Sequence, residues 1–123
     1  MGEAVVRVRL RINAFAGASD GWAGGLLSYY DNQNYSFIML RKSGLISEGF
    51  VQNGVIGFFA HRNFPVTLGT WHSVRVEQLN HVLRVFVNGQ LQITDFSNDL
   101  KGRVGIATNQ ATADFDDFLA YQP

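Results

Sequence analysis

Residues 69–96 read GTWHSVRVEQLNHVLRVFVNGQLQITDF. Val74 and Val76 alternate with Arg75 and Glu77, and Leu83, Val85 and Val87 alternate with Arg84, Phe86 and Asn88. A period of two with one apolar face is the mark of a half-buried strand. Asn80-His81 and Asn88-Gly89 interrupt the alternation. Asn-Gly suits the two central positions of a type I′ turn, which both need positive φ. The stretch therefore predicts three antiparallel strands, at 70–79, 83–87 and 91–96, joined by two tight turns.

The same reading extends outward. Towards the amino terminus, Val6, Val8, Leu10 and Ile12 alternate with Arg7, Arg9 and Arg11, giving a strand with an arginine face. Strands are expected at 22–30 and 35–42 around the turn cluster Asp31-Asn32-Gln33-Asn34, and at 45–52 and 55–60 around Asn53-Gly54. Residues 16–21, 64–69 and 97–102 read as connections, and 103–108 and 113–121 as the last strands. No segment holds helical periodicity over ten residues. Nine or ten strands at short spacing predict one all-β domain over 1–123, an antiparallel sandwich or barrel.

Composition narrows the function. With 46% apolar residues the chain can pack a core, and with no cysteine it has no disulfide scaffold, thiolate metal site or thiol catalysis. Ten basic against ten acidic residues leave no net field to attract nucleic acid or an anionic membrane. No apolar run reaches the roughly 20 residues of a helical membrane span. Residues 1–4 show no basic-then-apolar leader pattern, and the compartment stays open, a secreted or periplasmic setting among the choices.

Several motifs in order carry a resemblance: Gly69-Thr70-Trp71 opening a strand, Val87-Asn88-Gly89 at a hairpin turn, Gly102-Arg103-Val104-Gly105, and Phe115-Asp116-Asp117. Ala23-Gly24-Gly25-Leu26-Leu27 and Asp31 to Tyr35 add to it. Over residues 3–121 the chain resembles the concanavalin A-like lectin/glucanase superfamily, in particular its bacterial laminin-G-like and 3-keto-disaccharide-hydrolase-like domains. The resemblance implies a jelly-roll-like β-sandwich. Such domains begin with further strands before the position of Glu3, which this chain is expected to lack. An edge left open in that way would favour a homodimer, with Asp114 and Asp116 of a partner opposite Arg7, Arg9 and Arg11.

Glucanases of this type carry Glu-x-Asp-x-x-Glu on one strand. Here only Glu3, Glu48 and Glu77 occur, on three separate segments. A retaining glycosidase needs two carboxyl groups about 5–5.5 Å apart, so no catalytic residue is assigned. His61, His72 and His81 lack metal-pair spacing. The resemblance places Asp116 where relatives help hold a structural calcium. One carboxylate with carbonyls and water supplies a weak site at most, and a solvated carboxylate blunting an edge strand is the other reading. No other cofactor is implied. The arginine stripe suits acidic sugars or phosphate, or protects an exposed edge strand.

Sugars stack on aromatic rings while polar neighbours orient their hydroxyls. Tyr29, Arg41 and His61 are the residues expected to do this. The expected function is a non-catalytic, lectin-like carbohydrate-binding module. The alternatives are a glycoside-active domain of the 3-keto-disaccharide-hydrolase or lyase type, and a structural protein-interaction sandwich without a small ligand.

Overall fold

The computed structural model describes residues 3–96 and 103–122. Ten strands follow one another: β1 (Ala4–Phe15), β2 (Trp22–Tyr29), β3 (Tyr35–Arg41), β4 (Leu45–Gln52), β5 (Val55–Asn63), β6 (Trp71–Leu79), β7 (Val82–Val87), β8 (Gln90–Phe96), β9 (Arg103–Asn109) and β10 (Ala111–Tyr121). There is no helix among the described residues. The expected connection at 97–102, with Gly102 of its motif, lies outside them.

The strands form two five-stranded antiparallel sheets that pack as a sandwich. The first runs β10-β1-β6-β7-β8 and the second β5-β4-β3-β2-β9. Alternation sets which side chains meet between them. Val8, Leu10 and Ile12 of β1, Val74 and Val76 of β6, and Val85 and Val87 of β7 face Ile38 and Leu40 of β3 and Ile46 of β4. The Asn-Gly turns form as read, with φ of 51° and 78° at Asn53-Gly54 and 52° and 79° at Asn88-Gly89. Asn80 and His81 also take positive φ, so His81 is a turn residue.

One expectation is overturned. β1 is not an edge strand. It pairs with β6 on one side and with β10 on the other, which is why it runs well beyond the alternating residues 6–12. The acidic groups opposite its arginines belong to the same chain: Arg11 stands across from Asp114 and Arg9 from Asp116. The arginine stripe therefore protects no open edge. The sheets end instead at β10, β8, β5 and β9.

Candidate functional site

The second sheet buries apolar side chains on both faces. Ile38 and Leu40 point to the first sheet, so Phe37 and Met39 point outward. With Trp22 they form a second buried cluster, against which Leu26, Tyr35, Val51 and Ala107 pack. Phe37 has no exposed surface although it lies on an outer face. Other rings cover it: Trp22 at 6.4 Å between centroids, Tyr35 at 6.4 Å and Phe58 at 5.7 Å. Gly49 makes the last contact available. It lies between Phe37 and Phe58 in the register, and a Cβ there would stand 2.7 Å from the Phe37 ring.

A register shift in β5 completes the face. Glu48 pairs with Ala60 but Gly49 pairs with Phe58, so Phe59 is an extra residue. Such a bulge re-aims side chains. Here it turns both Phe58 and His61 outward, their rings 4.8 Å apart, where plain alternation would send them to opposite faces. Phe58 remains 39% exposed.

Polar groups gather beside these rings. The Arg41 guanidinium lies 5.0 Å from the Phe58 centroid. Its Nε and Nη2 both reach Asp20 Oδ2, at 2.9 and 2.8 Å. Asp20 also accepts hydrogen bonds from the Ser43 backbone N–H and hydroxyl. Burial disfavours the charge on Asp20, but the Ser43 hydrogen bonds and Arg41 outweigh it and hold the carboxyl below its ordinary pKa. Arg41 Nη1 donates to the fully buried Ser47 Oγ at 3.1 Å, and Ser47 Oγ stands 2.8 Å from His61 Nδ1. The other ring nitrogen of His61, Nε2, is left without a partner among the described residues. The exposed His61 also lines a recess of about 680 Å³ with Arg62, Asn63, Gln92 and Thr94.

Of the residues singled out from the sequence, Arg41 and His61 are thus brought together through Ser47. Tyr29 is on the same face but at its far end. Its ring lies 5.9 Å from Tyr35 and 5.9 Å from the Arg103 guanidinium. Tyr35 is six residues from Arg41, about 20 Å along a strand. Residues 61–63, beyond the expected strand end at 60, belong to the end of β5. Asp116 is exposed on the edge strand β10, 3.9 Å from Arg9, and accepts a hydrogen bond from the Asp117 N–H. No three metal-ligating side chains converge among the described residues. A cation at Asp116 would face the Arg9 guanidinium.

No protein-family model and no curated protein matches the chain. Solved structures do. A carbohydrate binding module, CBM66 from Bacillus subtilis, superposes with a TM-score of 0.76 at 15% identity, over 98% of this chain and 75% of that one. Sheep galectin-11 gives 0.61 at 11% identity, over 94% and 90%. The sandwich is concanavalin A-like. The β-glucanase of Bacillus licheniformis shares this fold, with a TM-score of 0.64 at 13% identity, and the chain spans 55% of its length.

Within the concanavalin A-like sandwich, Ser47, Asp20 and the pairing of Phe58 with His61 were not foreseen. Ser47 left one trace, a hydroxyl on the outward phase of a strand whose Ile46 points inward. The bulge at Phe59 left none.

Proposed function

We propose that this chain is a non-catalytic carbohydrate-binding module whose ligand sits on the outer face of the second sheet, at the Phe58–His61 end. The observation that carries the proposal is a half-exposed ring beside a row of mutually fixed polar groups, Arg41, Ser47 and His61, at the rim of a polar recess. An aromatic ring offers its face to sugar C–H groups. The unpartnered His61 Nε2, Asn63 and Gln92 offer hydrogen bonds to hydroxyls, which both donate and accept. Arg41 is already neutralised by Asp20, so beside Phe58 and His61 it presents hydrogen-bonding capacity rather than net charge, which suits neutral sugars, while Arg62 in the recess keeps its charge. Two proteins with this fold are named a carbohydrate binding module and a galectin, and this supports the reading.

The test is a glycan array followed by titration calorimetry with the best neutral ligand. Phe58→Ala and His61→Ala are each expected to weaken binding tenfold or more while the circular dichroism spectrum stays that of a sheet protein. Tyr29→Ala separates ligand lengths: it should weaken only an oligosaccharide long enough to reach along the face. Undiminished binding by both the Phe58 and the His61 variant would overturn the assignment.

A further inference from the structure

The opposite side of the molecule, the outer face of the first sheet, carries a groove of about 590 Å³. Arg7, Arg9, Ser73, Arg75, Phe86 and Asp117 line it. Ser73 leaves space between the larger residues of β1 and β6. Arg7 and Arg75 stand directly opposite each other in the register, a like-charge pair that costs a sheet stability unless something offsets it.

The charges in the groove pair off unevenly. Glu77, also in the lining, holds Arg75 Nη2 at 2.6 Å. Asp117 lies 3.6 Å from Arg9. It gets there through a register shift in β10, where Asp117 itself takes a left-handed φ of 52°. That conformation is uncommon for a residue other than glycine. The exposed Arg7 has no carboxylate partner among the described residues. Arg9 has two carboxylates in reach, Asp117 and, at 3.9 Å, Asp116, and Arg75 has Glu77, so the guanidinium left without a carboxylate among the described residues is Arg7, opposite Arg75.

We infer that this groove binds a single carboxylate carried on a sugar ring, a uronic acid residue, with the carboxylate between Arg7 and Arg75. The planar fork of arginine matches a carboxylate in two hydrogen bonds. An anion there relieves the repulsion between the two guanidinium groups. Phe86 supplies an apolar wall for the ring, and the Ser73 hydroxyl a partner for one of its hydroxyls. A single unpartnered guanidinium, Arg7, among arginines that already have carboxylates suits a ligand with one anionic group per site, not a polyanion. This site does not depend on the one proposed on the second sheet.

The experiment is titration of the chain with methyl glucuronide, methyl glucoside and sodium acetate, followed by calorimetry and by amide NMR. Glucuronide is expected to bind at least tenfold more tightly than either the neutral glycoside or acetate, and to shift the amides of Arg7, Arg9, Ser73 and Arg75. Arg7→Gln should lose that preference, and Arg7→Lys, which keeps the charge but not the fork, should lose part of it. A normal circular dichroism spectrum checks that the variants fold. Glucuronide and glucoside binding alike, an unaffected Arg7→Gln, or shifts confined to Arg41, Ser47 and His61 would each overturn the proposal. Acetate binding as tightly as glucuronide would reduce the groove to an anion site with no use for the sugar, and would overturn it too.

Discussion

Glu48 lies on the inward side of β4, in phase with Ile46, and is 4% exposed. Its Oε1 has no hydrogen-bond partner among the described residues. Burial, and next the charge of Asp95 and a hydrogen bond to it, push its pKa from 4.5 up to about 8. The folded chain therefore keeps the proton where the unfolded chain releases it. The contribution to stability is complete below about pH 4.5 and falls away as pH rises towards 8. Across that interval the loss is on the order of a few kcal/mol. Urea unfolding between pH 4 and 9 should show this decline. Glu48→Gln, which carries no charge to desolvate, is expected to flatten the profile and to be more stable than the parent at pH 8. A decline of unchanged slope in the variant would assign it to other groups. The phase of Glu48 with Ile46 was legible in the sequence. What it meets across the sandwich was not, because Asp95 is 47 residues away and no local pattern links the two.

At the scale of the strand, β5 shows where alternation stops informing. Strand positions, hairpins and both Asn-Gly turns could be read because each depends on a few adjacent residues. The bulge at Phe59 depends on how β5 meets β4 and leaves no mark in composition or period. Phe58 and His61, three apart, reach the same face only because of it. Deleting Phe59 restores plain alternation and is expected to turn one of the two rings away. Sugar binding should fall to background while the sheet signal in circular dichroism persists. Retained binding by the deletion variant would show that the bulge does not position the site. β1 teaches the same lesson. Its arginine face was legible, but its neighbours were not. A strand of this pattern at a sheet edge and one between β6 and β10 have the same sequence signature. The pairing of Arg11 with Asp114, at 2.6 Å, joins residues 103 apart.

Across the whole molecule, the two outer faces differ in kind. The second sheet wears a layer of rings with a neutralised arginine at one end, and the first wears a stripe of arginines set against the aspartates of β10. The ground for expecting a partner chain has moved with the topology. β1 offers no open edge, and apolar side chains stand exposed instead on the edge strands β5, at Val55, Ile56 and Phe59, and β10, at Phe118, Leu119 and Tyr121. The fold was legible because strands of this length and spacing have few ways to bury one face each. The proposed ligand face was legible only in part, since it is assembled from β2, β3, β4 and β5 by registers that sequence does not state. The central claim is that the aromatic face binds a neutral carbohydrate at its Phe58–His61 end. Amide NMR of the chain titrated with the strongest neutral ligand from a glycan array tests it most directly. The account predicts saturable shifts clustered at Arg41, Ser47, Phe58 and His61. No saturable shift with any glycan, or shifts that leave those four residues untouched, would contradict it.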